Sequence, residues 1–528
     1  MRVPHSCIAL LIALASRLSI GQTQPPYDEP TLTVNSSLVF LDVTVLDRKG
    51  HPVITGLTKD DFIVTEDRKP QRIFSFEPPQ TQGLRMPPDN QNSSRQAPLS
   101  IFVLDQLNSS FEDFAFIRYE FRQFLLRQPS VLGAPAELAV VGNRDLEVLQ
   151  GFTRSRADLL YALDHLGSAI PYKWLSDAFA QERFDQTVGA LQQLALQSSG
   201  IPGGKSIIWV GHGFPGFTTL GMPPDVQESL RRYMHDTATM LINARISLFV
   251  IYPGLKVGHF VNFGAGPARP VSAAFAESSI SDDSDPFAAS INFGVLVNEA
   301  GGKLFYNRND VDAEILGSQI TGSQYYTLTY QPPQVASDGK FHRIRVELRD
   351  SALRAMTRAG YFAPDSNAPV DSLQQSILNL NQAMQSEIPF QSLDLKIDGI
   401  VRHPDSHTFQ FVVQLKGRNL DWQAGASGAS TASVLVSAAS LNTNGKILAL
   451  KEAELMLRGA THDKERLDAM VTPIQFTLRL PLKTDKVHVA VEAEPSGKIG
   501  VAHLAVDQIN AARTVSTPEP HLSSRPVN

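Results

Sequence analysis

The stretch Pro98–Asp113, PLSIFVLDQLNSSFED, holds the residue types best suited to an oxygen-rich binding site: Asp105, Asn108, Ser109 and Ser110. An apolar run, Leu99–Leu104, ends at Asp105; a loop of amide and hydroxyl side chains follows, and a helical pattern begins at Glu112. In an open parallel sheet, ligands bind at the carboxyl ends of the strands, where this loop must lie. His212, in WVGHGFPG, ends a second such strand, and Ser176 and Asp177 offer oxygens from a third loop. Two chemistries suit these residues. A hard cation, Mg2+ or Ca2+, takes carboxylate and hydroxyl oxygens, here from Asp105 and Ser109. A hydrolase would take Ser109 as nucleophile, His212 as base and Asp105 as its orienting partner. No G-x-S-x-G elbow occurs in the chain, so nothing marks Ser109 as exposed on a strained turn.

Other constellations have simpler readings. Asp282, Asp283 and Asp285 lack the spacing, glycine and terminal glutamate of a calcium loop and read as a solvated segment. His403 and His407 would share a helix face, but Pro404 between them argues for a surface turn. Phe114, Ile117, Phe121, Phe124 and Leu125 recur at helical spacing and predict a packing stripe.

The elements that position these residues follow from hydrophobic periodicity. From Pro98 to Ile320 strands alternate with helices, which predicts a doubly wound, mostly parallel sheet. On either side lie short strands, 37–76 and 325–362, each set too small to bury a core alone. They predict one β-sandwich, discontinuous in sequence, over 31–80 and 322–364, with the α/β domain 97–321 inserted between its halves. Residues 365–388 read as a linker and short helix, 389–510 as a second β-sandwich, and 511–528 as a disordered tail.

Bulk composition narrows the function. A chain of 528 residues with 42% hydrophobic content suits about three domains. With 53 acidic against 47 basic residues, it offers no basic face for nucleic acid. Residues 1–21 read as a signal peptide: Arg2, an apolar stretch from Cys7 to Ile20, then small residues before Gln22. Cleavage there predicts a secreted, periplasmic or cell-envelope chain with no membrane span and no cysteine, since Cys7 is the only one.

Several segments together, FLDVTVLDRKGHPVITGLTKDDFIVTEDRKPQRIFSF, IFVLDQLNSSFEDFAFIR, GGKSIIWVGHGFPG, EAGGKLFYNRNDVDAEI and DGKFHRIRVELRDSALRAMTRAGYFAP, resemble secreted bacterial proteins with a von Willebrand factor A-related domain, abundant in Acidobacteria. The resemblance spans Ser37 to Pro364. It implies a Rossmann-like A domain and no enzymatic activity, and names no ligand. Such domains often hold a divalent cation at a metal-ion-dependent adhesion site opened by Asp-x-Ser-x-Ser. The matching positions are Asp105, Leu107 and Ser109, and Leu107 cannot ligate. The second loop, Gly167–Glu182, has no threonine, and Gly211-His212-Gly213 stands where the third loop would supply an aspartate. The sequence therefore predicts a degenerate adhesion site, with Asp105 and Ser109 as an incomplete set for Mg2+ or Ca2+. Protein contacts would be made by the loops carrying Asn108, Ser110, Ser176, Asp177 and His212, with an unidentified protein partner. The competing readings are an extracytoplasmic serine hydrolase using Ser109 and His212, and a structural envelope scaffold.

Overall fold

The structure is a computed structural model that describes residues 38–79, 98–143, 146–167, 172–199, 201, 203–214, 216–218, 222–253, 286–287, 290–308, 310–332, 338–363, 372–385, 390, 392–403, 407–425, 428–443, 445–494, 496–510 and 513–514. The signal segment, the linker before Pro98 and the Asp282–Asp285 segment lie outside the described residues.

The first strands are β1 (Val39–Leu46), β2 (Phe62–Glu66), β3 (Lys69–Gln71) and β4 (Ile73–Glu77). Thr58 and Asp61 form a capping box that turns the chain into β2, with Thr58 N donating to Asp61 Oδ2 at 2.7 Å.

The central region runs β5 (Leu99–Asp105), α1 (Phe111–Arg127), β6 (Val131–Val141), β7 (Leu146–Ser155), α2 (Arg156–Asp164), α3 (Ala180–Ser199), β8 (Lys205–Val210), β9 (Phe217–Thr218), α4 (Pro224–Asn243), β10 (Ile246–Pro253), β11 (Ser290–Ile291), α5 (Phe293–Glu299), β12 (Lys303–Arg308) and α6 (Val311–Ser323). Its main sheet has the order β12-β10-β8-β5-β6-β7. The pairs are parallel except β6–β7, which makes the sheet mixed where the sequence predicts mostly parallel pairing. The reason is length: the connection from Val141 to Leu146 is too short for a crossover and can only reverse the chain.

Alternation along the strands divides the core. Ile101, Val103, Ile207, Trp209, Leu248 and Val250 face α3, α4 and α5. Phe102, Leu104, Ile208, Val210, Phe249 and Ile251 face the α1 stripe together with Leu159, Leu163, Val311 and Ile315. Each such fully buried side chain contributes about 1.5–3 kcal/mol, and β5 is buried along its whole length.

The strands that follow, β13 (Tyr326–Tyr330), β14 (Phe341–Leu348), β15 (Arg354–Met356) and β16 (Gly360–Phe362), pair back with the first four. The sheets are β15-β1-β13-β4 and β16-β14-β2-β3, with Leu41 opposite Leu328 and Val64 opposite Val346. Leu41, Val43, Val45, Phe62, Val64, Leu328, Tyr330 and Ile344 share one core. This sheet pair docks at the amino ends of the parallel strands. Arg245, just before β10, donates from Nε to Asp42 Oδ2 at 3.0 Å, and Gly204 N, just before β8, donates to the Tyr325 hydroxyl at 2.7 Å. The carboxyl ends, with Asp105, lie at the opposite edge of the sheet.

The C-terminal region comprises α7 (Ser372–Gln385), β17 (Leu395–Arg402), β18 (Thr408–Lys416), β19 (Gln423–Ala424), β20 (Ser430–Leu441), β21 (Ile447–Gly459), α8 (Lys464–Ala469), β22 (Val471–Arg479), β23 (Lys486–Glu494), β24 (Lys498–Ala505), α9 (Val506–Asn510) and β25 (Arg513–Thr514). One sheet has the order β22-β18-β17-β25; the other has β19-β20-β23-β24, with β21 also on β20. Leu380, Ala383 and Met384 of α7 join a core with Leu191 and Leu194 of α3 and with Leu435 and Ala439 of β20. Within the expected disordered tail, Arg513 and Thr514 pair in parallel with Val401 and Arg402. An edge strand offers free backbone groups to any extended segment, so this pairing needs no side-chain pattern. The described residues are thus mixed α/β, with mostly antiparallel sheets, a mixed main sheet and one short parallel pair at the edge of a C-terminal sheet. Among the described residues no helix is long and apolar enough to cross a membrane.

Candidate functional site

Asp105 ends β5 and is fully buried. Its Oδ1 accepts from Asn108 N at 2.9 Å and from Asn108 Nδ2 at 3.2 Å. Its Oδ2 accepts from Trp209 Nε1 at 3.0 Å and from Gly213 N at 2.7 Å. Burial pushes the carboxyl above its usual range, while the N–H groups of Asn108, Trp209 and Gly213 and the nearby His212 pull it down. All four contacts are donors, which is the arrangement an ionised carboxylate needs.

The glycines flanking His212 make this closure possible. Gly211 has φ +145°, and a Cβ there would come within 2.3 Å of Asp105 Cβ. Gly213 has φ +67°, and a Cβ there would meet the Phe293 ring at 2.1 Å. Only glycine allows the loop to press its amide against Asp105.

Asn108 links this cluster to α3. Its Nδ2 also donates to Thr187 Oγ1 at 2.9 Å, and Thr187 Oγ1 donates to the Arg183 carbonyl at 2.7 Å. Thr187 is fully buried and lies beyond the second loop, Gly167–Glu182, in which the sequence offers no threonine. The available signal was helical: Arg183 and Thr187 stand one turn apart on the stripe that carries Leu191 and Leu194.

The other expected residues take different roles. Leu107 joins the core on the α3 side of the sheet. Ser109 is fully buried, and its Oγ has no hydrogen-bond partner among the described residues. Ser110 caps α1, accepting from Asp113 N at 3.0 Å. His212 Nδ1 lies 3.0 Å from the Asn108 carbonyl, and its ring lies 4.1 Å from that of Tyr252. Burial lowers the His212 pKa against the pull of Asp113 and Asp105, favouring a neutral imidazole that donates from Nδ1. Ser176 is exposed, and its hydroxyl accepts from Ala178 N at 3.2 Å, a local turn that does not involve Asp105. Asp177 opens the 3-10 turn Asp177–Phe179. The preceding turn is anchored on α3 by Lys173, whose Nζ donates to Glu182 Oε1 at 2.7 Å and Gln186 Oε1 at 3.0 Å.

This donor set does not fit a cation. Both oxygens of Asp105 face N–H groups, two of them on the backbone, and an ion would have to displace them. A cation on Asp105 and Ser109 would thus compete with these donors, and in this structure Asp105 is an internal hydrogen-bond hub. A nucleophilic Ser109 would likewise need to be unburied, and the His212 nitrogen Nδ1 is already committed to the backbone.

No protein-family model and no curated protein matches the chain. Among solved structures, proximal thread matrix protein 1 from the mussel byssus is 12% identical over 45% of this chain and 49% of its own, with a TM-score of 0.26. The SpRpn10 VWA domain is 12% identical over 42% of this chain and 94% of its own, with a TM-score of 0.22. The pilus adhesin SpaC from Lactobacillus rhamnosus GG, in its open conformation, is 9% identical over 78% of this chain and 52% of its own, with a TM-score of 0.25. The chain spans about half the length of the mussel protein and of the adhesin. At these TM-scores the likenesses assign nothing to individual residues.

Proposed function

We propose that the chain is a non-enzymatic, extracytoplasmic protein-interaction or adhesion-type module. In this reading a von Willebrand A-like domain is inserted in a discontinuous β-sandwich, a second sandwich follows, and an N-terminal signal peptide directs export. The observation that supports the reading is the Asp105 carboxylate at the carboxyl end of β5, whose oxygens accept from Trp209, Gly213 and Asn108. Recognition then falls to exposed groups nearby in the chain, Phe111 at the start of α1 and Tyr172 and Ser176 in the turns before α3, and needs no metal.

The test is affinity capture from envelope fractions with immobilised mature protein, with and without EDTA, beside a Phe111→Ser/Tyr172→Ser/Ser176→Arg variant. A partner kept in EDTA and lost by the variant supports the reading; a partner released by EDTA from the wild-type loops overturns its metal-free form. Labelling of Ser109 by a fluorophosphonate probe overturns its non-enzymatic part.

A further inference from the structure

A second cluster, in the small sheet pair and independent of the Asp105 loops, gathers three side chains of metal-ligating type. β2 ends in Glu66, and Asp67 and Arg68, with φ of 48° and 66°, turn the chain into β3. β14 runs beside β2 and brings His342 to the turn, where Arg343 N donates to Asp67 Oδ1 at 3.0 Å. His342 Nδ1 lies 2.7 Å from Asp67 Oδ2 and 3.9 Å from Glu66 Oε1. One ligand atom from each of the three residues lies within 4.8 Å of the others. Tetrahedral ligands about 2.0–2.1 Å from zinc are spaced about 3.3–3.5 Å apart, so these atoms need only small movements.

The surroundings fit the same purpose. His342 Nε2 lies 3.2 Å from Asp338 Oδ1, so a carboxylate orients the ring from behind and leaves Nδ1 to face the two other carboxylates. Histidine ligands are held this way in metal sites, which fixes the tautomer and raises ligand basicity. Glu66 is buried and is oriented by two phenols, Tyr330 through Oε2 and Tyr361 through Oε1, the latter at 3.1 Å. The ring of Tyr361 stacks on His342 with centroids 5.4 Å apart. Asp67 is exposed, so one side of the cluster is open to water.

We propose that Glu66 Oε1, Asp67 Oδ2 and His342 Nδ1 form a three-ligand site for a first-row divalent cation, zinc(II) foremost, with water in the fourth position. One imidazole with two carboxylates suits zinc better than calcium or magnesium, which take all-oxygen shells. Without metal, a proton between His342 Nδ1 and Asp67 Oδ2 holds the cluster together, and zinc replaces that proton.

The experiment is calorimetric titration of the full, tag-free chain with ZnCl2, MnCl2 and CaCl2, with circular dichroism as the check of folding. One zinc per chain is expected, with manganese weaker and calcium weakest. Asp67→Asn and His342→Gln should each weaken zinc at least 100-fold, and Asp338→Asn roughly 10- to 100-fold. Asparagine tolerates the positive φ at position 67, so that variant keeps the test available should His342→Gln fail to fold. Absence of zinc binding, zinc binding unchanged in folded Asp67→Asn, or calcium binding as tightly as zinc each overturns the proposal.

Discussion

Trp209 Nε1 donates to Asp105 Oδ2 at 3.0 Å, so an indole from β8 sits in the coordination space of the carboxylate that ends β5. Trp209→Phe removes the donor and leaves a cavity where the larger indole stood. A hydrogen bond to a buried charge is worth about 1.5–3 kcal/mol, and urea unfolding should show a loss of at least that size. Asp105→Asn should cost at least as much, because its amide would turn a donor towards Trp209 or Gly213.

Gly211→Ala should be severe and Gly50→Ala mild, although both positions have positive φ. At Gly50 nothing lies within 4 Å of an added Cβ, leaving a backbone cost of about 1–2 kcal/mol. At Gly211 the Cβ would meet Asp105 Cβ at 2.3 Å, so the loop must retreat and Asp105 loses its Gly213 donor. Thermal melts of the two variants should differ by at least twofold in lost stability.

Glu137, fully buried on β6, has its pKa pushed up by burial to about 7 from an ordinary 4.5, against the pull of Gln197 Nε2 at 2.9 Å. The native state keeps this proton where the unfolded chain has lost it. Its contribution is whole below about pH 4.5 and is lost as pH rises through about 7. The shift corresponds to about 3 kcal/mol. Glu137→Gln should therefore match wild type near pH 5 and exceed it in stability by up to that amount at pH 8, measured by urea unfolding across this range.

Asp42 receives Arg245 Nε at 3.0 Å and the Thr327 hydroxyl at 2.9 Å where the small sheet pair meets the α/β region. The ion pair is partly exposed, so Asp42→Ala should cost about 2 kcal/mol, less than the loss of a fully buried pair. Limited proteolysis should cut more readily near Arg245 in this variant than in wild type.

Much of the fold was legible because its elements carry strong periodic signals. The α1 stripe predicts the buried face of that helix residue by residue, from Phe114 to Leu125. The direction of β7 is not legible from alternation, which locates a strand, and is set by the short connection after Val141. β24 carries a weak strand signal, because KIGVAHLA is short of β-branched and aromatic residues. At the site, the types Asp105, Ser109 and His212 were readable, but their use was not. What decides it is the reach of Trp209 and Gly213 across from another strand and of Thr187 from a helix, contacts distant in sequence that no local spacing encodes.

The pairing of β1–β4 with β13–β16 sets an order of events during synthesis. The first four strands are made early, but their partners follow only after the whole α/β region, so the frame closes after its contents. Until then Phe40 and Phe74 sit on strands that expose both edges, which makes them an aggregation hazard. Slow synthesis or a truncated C-terminal half should therefore harm yield through these early strands, even though the α/β region between them can form its own core.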